Sequence, residues 1–426
     1  MQESSAGAMN CPITDVSMRD GQCGGRTAAV RREGYRQMKT VNIGLVGAGF
    51  MGKAHSNAYR AVSFFFPDVK VKPVMKCVCD LDIALAKQRM QDWGWESCER
   101  SYKKLCARDD IDVIDICTPN VGHLPMVLEA AKAGKPILCE KPLAKDAKEA
   151  RQMLRAVEKA GVVHMVSHNY RRCPAVSLAR EMIDQGAVGD IFHFRGTYLQ
   201  DWIVDPDFPL VWRLQKRLAG SGALGDLVAH SMDLALYLVG ELSSVAAALE
   251  TFIKERPLQE EVTGGLRARG SRRAKRKGKV TVDDAAIVLA RFKDAPTIAT
   301  FEATRFALGR RNQNRFEING SKGSLAWDLE RMNELEYYDA TDPEGRQGFK
   351  TILATDASHP YMGAYWPPAH NIGYEHSTIN TVYDFLNAVA AKKVPSPNFR
   401  DGLLVNAAMD AVLAAAKSKK WERVRA

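Results

Sequence analysis

Between residues 41 and 168, short and nearly continuous apolar runs alternate with stretches of helical period. The runs are VNIGLVG (41–47), VMKCVCD (74–80), VIDICTP (113–119), PILCEKP (136–142) and VVHMVSH (162–168). Between them, helical apolar spacing marks 50–60, 82–92, 122–133 and 146–160. Strands that are apolar on both faces and separated by helices predict a parallel sheet covered on both sides. Right-handed crossovers turn that sheet into a doubly wound α/β (Rossmann) domain over 38–168.

After about residue 175 the rhythm changes. A helix carrying SLAREMIDQG precedes the strand IFHFRGTYL (191–199), and a second helix is predicted around 225–239. Longer alternating strands follow at 245–253, 285–292, 297–306, 315–329 and 335–339, with a hairpin turn at GSKG (320–323). Helices at 377–391 and 401–418 close the chain and are expected to pack against one of the two domains. Residues 169–426 therefore predict an α+β domain with a large, mainly antiparallel open sheet, serving substrate binding and oligomerisation. The strand AAIVLARF (285–292) carries apolar residues on both faces. With helices on one face, the other calls for a second copy, so a homodimer or homotetramer is expected. Residues 1–37 have no apolar period and are expected to be a disordered, dispensable tail ahead of Met38.

Composition narrows the class. No apolar run reaches the roughly 18–20 residues of a membrane span, and the N-terminus lacks a signal-peptide pattern, so a cytoplasmic protein is expected. Nine cysteines, an odd number without CxxC or zinc spacing, read as reduced core thiols. The net charge of +10 is local: LRARGSRRAKRKGK (266–279) holds eight basic residues, and 10 − 8 leaves +2. That loop lacks aromatic interleaving, so no nucleic-acid or membrane partner is expected.

Gly47-Ala48-Gly49-Phe50-Met51-Gly52 fits GxGxxG between a strand and a helix, the place where that pattern binds a dinucleotide. Gly47 allows the tight turn, Gly49 lets backbone amides approach a pyrophosphate, and Gly52 lets the helix pack on the sheet. Asp80 ends the second strand, where a carboxylate accepts from ribose hydroxyls and repels a 2′-phosphate. It is followed by Leu81 and Asp82, with no Arg, and this selects NAD.

Three further pieces carry a family resemblance: Cys117-Thr118-Pro119-Asn120 with His123, Glu140-Lys141-Pro142, and Gly222-Ala223-Leu224-Gly225-Asp226-Leu227-Val228-Ala229-His230. Together they resemble the glucose–fructose oxidoreductase / inositol dehydrogenase / MocA (Gfo/Idh/MocA) family over essentially all of 38–420. Asn169-Tyr170-Arg171-Arg172 and Gln200-Asp201-Trp202 look most like the branch acting on levoglucosan and glucosides. The resemblance implies an NAD-dependent dehydrogenase that oxidises a secondary hydroxyl of a sugar, glycoside or cyclic polyol, with C3 of a pyranoside favoured. Inositol 2-oxidation and a redox-assisted glycosidase are the alternatives, and a non-catalytic nucleotide sensor is a third class.

The implied catalytic set is Lys141, Asp226 and His230. Lys141 stands at a strand end facing the crevice. Asp226 and His230 are four apart on one helix face, with His230 as the base. Thr118, Asn120, His123 and Glu140 join Lys141 on the cofactor side, although Asn120 and His123 could equally cap the helix near 122. Asn169, Asp201, Trp202, Arg213 and His376 are the remaining candidates for the substrate. Asn169 could also be a turn residue, and Trp202 and Arg213 could belong to the inter-domain core. No metal is expected, since neither HExxH nor a paired-Cys site occurs.

Overall fold

A computed structural model of the chain describes residues 38–258 and 276–426. The expected tail at 1–37, and the part of the basic loop at 266–275, lie outside the described residues. The five predicted apolar runs form β1 (Thr40–Val46), β2 (Lys72–Cys79), β4 (Val113–Ile116), β5 (Ile137–Cys139) and β6 (His164–Val166). A short edge strand, β3 (Ser97–Glu99), pairs in parallel with β2. The six-stranded order is β3-β2-β1-β4-β5-β6, with every pair parallel. It is flanked by α1 (Phe50–Phe65), α2 (Ile83–Trp93), α3 (Tyr102–Ala107), α4 (His123–Lys132) and α5 (Ala147–Ala160). The apolar runs are continuous because both faces are buried: Ile43 and Leu45 face one core, Val46, Ile114 and Ile116 the other.

The later strands are β7 (Ile191–Leu199), β8 (Leu242–Glu250), β9 (Glu255–Pro257), β10 (Lys277–Lys279), β11 (Ala285–Phe292), β12 (Ile298–Thr304), β13 (Gln313–Gly320), β14 (Gly323–Asp328), β15 (Glu334–Asp339), β16 (Lys350–Leu353) and β17 (Glu422–Arg423). Nine of them form one open sheet in the order β16-β15-β14-β13-β7-β12-β11-β8-β17. Only the β12–β7 pair is parallel; the other pairs are antiparallel. Lys277–Lys279, at the end of the basic segment, pairs with β9 in a separate two-stranded ribbon.

Period-2 alternation sends Phe194, Val288, Phe301, Phe316 and Trp327 into the helix-covered core. That cover comes from α6 (Pro174–Asp184), α8 (Ala229–Leu238) and α10 (Phe399–Ser418). A single turn, α7 (Lys216–Ala219), precedes α8. The closing helices return across the domain boundary drawn at 168/169. Ile379, Val382 and Phe385 of α9 (Tyr374–Ala391) pack in the core beneath α1. In α10, Phe399 and Leu403 join the first domain's core, while Met409 and Val412 join the second's. All seven described cysteines are free thiols, and no described helix is long and apolar enough to cross a membrane.

Candidate active site

The glycine-rich turn is shaped by backbone crowding. Gly47 has φ +107°, and a Cβ there would meet the Cys117 carbonyl at 2.6 Å. A Cβ on Gly52 would lie 2.1 Å from the Gly47 carbonyl, so only glycine lets α1 approach this closely. A Cβ on Gly49, the N-cap, would meet nothing within 4 Å. The first turn of α1 carries no side-chain cap and no acidic residue. Free N–H groups and the positive helix end therefore face an open cradle, which fits a pyrophosphate. Asp80 Oδ2 accepts from the Ala48 N–H at 2.9 Å and Oδ1 from the Asp82 N–H at 3.0 Å. Its outward lone pairs remain for ribose hydroxyls. Phe50 is half-exposed over the turn and stacks at 6.4 Å on Tyr374 from α9. Met51, partly buried, packs against the core beside it.

Lys141 follows β5, and its ammonium crosses to the second domain. Nζ donates to the Asp226 carbonyl at 2.9 Å and to Asp226 Oδ1 at 3.4 Å. Asp226 sits in a π-turn, Leu224–Val228, at the entrance to α8, a local over-widening frequent at functional sites. Burial pushes the Asp226 carboxyl up, but Lys141, Arg213 and Arg305 outweigh it and hold it below the usual range. Arg213 Nε is 3.9 Å and Arg305 Nη1 4.0 Å from Asp226 Oδ2. His230 is buried among Tyr170, Tyr198 and His168, at centroid distances of 4.6, 5.7 and 6.2 Å. Burial first, then the Lys141 and His168 charges, hold its pKa well below the ordinary histidine value. The site thus sets a neutral imidazole near an ammonium that is paired with an ionised carboxylate. Asp233, one turn on, is spent on Arg171 in a bidentate pair at 2.8 and 2.6 Å.

Several expected ligand contacts turn inward instead. His123 is fully buried, with Nδ1 3.1 Å from the Pro142 and Leu143 carbonyls and Nε2 3.0 Å from the Thr118 carbonyl. It braces the two loops from behind and reaches no ligand surface. His376 takes the Gly373 N–H on Nδ1 at 3.1 Å and packs against Tyr365 and Phe65, closing the start of α9. Asp201 is tied to the Gly309 N–H at 3.4 Å and to Arg311 at 3.3 Å, so its carboxylate serves that turn. Asn120 donates to the Ala219 carbonyl and Asn169 to Ser377 Oγ, both at 2.8 Å. The Thr118 hydroxyl faces Met126 Sδ at 3.6 Å. Trp202 donates to Gln200 Oε1 at 2.8 Å and stacks under Arg305 at 5.7 Å, one layer from Asp226.

Sequence reasoning missed Arg305, Tyr374 and His55. Arg305 had a signal: in TIATFEATRF the buried face runs Ala299, Phe301, Ala303 and then Arg305, a charge where alternation calls for an apolar residue. His55 also had one, since helical period from Gly52 puts His55 and Tyr59 on the buried side of α1. Tyr374 had none, because its contact with Phe50 spans most of the chain.

Residues 41–168 match the oxidoreductase family with an NAD-binding Rossmann fold, and residues 176–326 match the GFO/IDH/MocA C-terminal domain. The levoglucosan dehydrogenase of Pseudarthrobacter phenanthrenivorans is 45% identical over 387 residues, 90% of this chain and 98% of that protein. The inositol 2-dehydrogenase of Rhizobium meliloti is 25% identical over 384 residues, 89% of this chain and 98% of that protein. A solved levoglucosan dehydrogenase in complex with NADH and levoglucosan has 44% identity and a TM-score of 0.86, covering 91% of this chain and 100% of that one.

Proposed function

The chain belongs to the GFO/IDH/MocA family of NAD-binding oxidoreductases, and on that premise we propose that it oxidises a secondary hydroxyl of a sugar or glycoside, C3 of a pyranoside foremost. The observation that carries this reading is the convergence of Lys141, Asp226 and His230 from two domains. It is supported by the 45% identity to an enzyme named for levoglucosan, an anhydrosugar. NAD, when bound, supplies the hydride acceptor.

The chain's own residues handle the proton. A secondary alcohol is far too weak an acid to ionise near neutrality, so a base must take its proton as the carbonyl forms. His230, held neutral by burial and by the Lys141 charge, is the acceptor. The Lys141 ammonium is the donor for the oxygen on which alkoxide charge develops. Asp226 accepts from that ammonium and fixes its direction, while Arg213 and Arg305 keep the carboxylate ionised. Trp202, partly buried under Arg305, is the candidate to meet a pyranose ring.

The test is a panel of levoglucosan, glucosides, free hexoses and myo-inositol with NAD, followed by absorbance of the reduced cofactor. Fastest turnover is expected on a pyranose carrying a free C3 hydroxyl. Cleavage of a glycoside without accumulation of reduced cofactor would replace this reading with a redox-assisted glycosidase, and best activity on myo-inositol would move the substrate class.

A further inference from the structure

His55 lies three residues past Gly52 on α1, and its ring is fully buried beneath the Glu140–Lys141 step. Nδ1 is 2.8 Å from Asp115 Oδ2, and Nε2 is 3.1 Å from Glu140 Oε1. Ionised carboxylate oxygens only accept. A neutral imidazole has one N–H and leaves the second carboxylate facing a lone pair; an imidazolium satisfies both. The other carboxylate positions also meet donors. The Tyr59 hydroxyl reaches Asp115 Oδ2 at 2.9 Å, the Cys117 thiol reaches Oδ1 at 3.5 Å, and the Lys141 backbone N–H reaches Glu140 Oε2 at 3.3 Å. Ser167 Oγ stands 3.5 Å from Nε2, and Tyr374, Cys139, His123, Arg213 and the Lys141 side chain are further titratable groups around the cluster. Burial pulls the His55 pKa down, but Asp115 outweighs it and holds the ring well above its ordinary value. Burial likewise pushes Glu140 up, and His55 brings it below the usual carboxylate range.

The partners stand on the segments that shape the cleft. α1 follows the glycine-rich turn, Asp115 lies two residues before the turn that begins at Cys117, and Glu140 immediately precedes Lys141. We propose that His55 is a positioning residue: an imidazolium bridging Asp115 and Glu140 that fixes the Glu140–Lys141 step and so aims the Lys141 ammonium at Asp226. The functional half of this rests on the role given to Lys141 above. Without the imidazolium, Glu140 is a buried carboxylate that has lost its nearest counter-charge, and it takes up a proton or moves toward water or Lys141. Either change loosens its hold on the Lys141 N–H.

Two measurements on the full-length protein test this. The first is NMR with ring-¹⁵N histidine at about pH 8.5, two units above the ordinary histidine value. One of the nine histidine rings is expected to remain doubly protonated while the others are neutral. Nine neutral rings overturn the proposal, and this readout needs no substrate, so failure of the sugar panel leaves it standing. The second compares kcat and KM. His55→Gln is expected to lower kcat about 10–100-fold, the scale of a small misplacement of a reacting group, while KM and NAD affinity hold. Adding Glu140→Gln, which removes the charge that lost its partner, should recover part of kcat. A kcat near wild type in His55→Gln, or a double variant worse than the single, sinks the positioning role. Should His55→Gln not fold, Glu140→Gln alone takes its place: a lowered kcat at steady KM is expected, and an unchanged kcat overturns the proposal.

Discussion

At the scale of single residues, the site works by holding each group in one charge state. As the proposed base His230 needs to be neutral, and burial together with the Lys141 charge holds its pKa low. His230→Ala and Lys141→Met are each expected to lower kcat by about two orders of magnitude or more, with NAD affinity by fluorescence titration retained. Because the two act on one oxygen, the double variant should lose less than the product of the single losses. The acid limb of the kcat profile should fall below pH 6.5, since the folded His230 pKa is depressed from that value. An acid limb above pH 7 would assign the base to another group. Asp80 sets the second residue-level expectation. Its carboxylate occupies the ribose end of β2, so NAD should be reduced much faster than NADP, and Asp80→Ser should narrow the gap in kcat/KM.

At the scale of elements, α1 combines two demands that substitution can separate. Gly52→Ala puts a methyl 2.1 Å from the Gly47 carbonyl, so α1 must shift and Tm should fall. Gly49→Ala points a methyl into open space, so Tm should barely move. The same methyl fills the cradle in front of the helix N-terminus, and NAD affinity should drop by about tenfold, or roughly 1.4 kcal/mol. Equal effects of the two substitutions on Tm would contradict this division. Elements also differ in how plainly they are written in the chain. The five runs of the first sheet follow from their near-continuous apolar character, and the hairpin at 320–323 from its turn residues. β3 and α3 show neither signal: Ser97–Glu99 carries no apolar run because this edge strand is only partly buried, and the six-residue α3, capped by Ser101 accepting from the Lys104 N–H, is too short to show a period.

At the scale of the whole molecule, the pH response and the unpaired sheet face are the leading expectations. His164 accepts the Phe399 N–H on Nδ1, and burial lowers its pKa to about 4. His123, His168, His230 and His376 are lowered too, each chiefly by burial. A histidine depressed in the fold contributes stability that is full above the unfolded value and is lost as pH falls toward the folded one. For His164 that window runs from pH 6.5 to about 4 and is worth roughly 3 kcal/mol. His55 works oppositely: its raised pKa stabilises below pH 6.5, and that contribution is lost only as pH rises through its folded value. With the His55 contribution constant below pH 6.5, the other five make Tm fall steadily there; a flat Tm from pH 7 to 5 would show these rings are not held neutral. The open sheet leaves Ile287 at 59% and Leu289 at 47% exposure, with Ile298 on the same side. A second copy is the expected cover. Light scattering at micromolar concentration should give a dimer or tetramer mass, and Leu289→Arg should shift it toward monomer.

Local order was determined by the sequence alone. The period of apolar positions set strand against helix, the glycine spacing set the dinucleotide turn, Asp80 was marked by its place at a strand end, and Lys141, Asp226 and His230 were singled out as candidates by the motifs that carry the family resemblance. Those signals survive in a linear chain because backbone geometry fixes them over a few residues. Tertiary structure alone decided which distant groups meet and what charge each carries. It spent His123 and His376 on backbone groups, brought Lys141 onto Asp226 across 85 positions, and set His55 between Asp115 and Glu140 across 60 and 85. The reason is physical: a side chain's partner depends on which segments the sheets bring together, and its protonation depends on burial that no local pattern records.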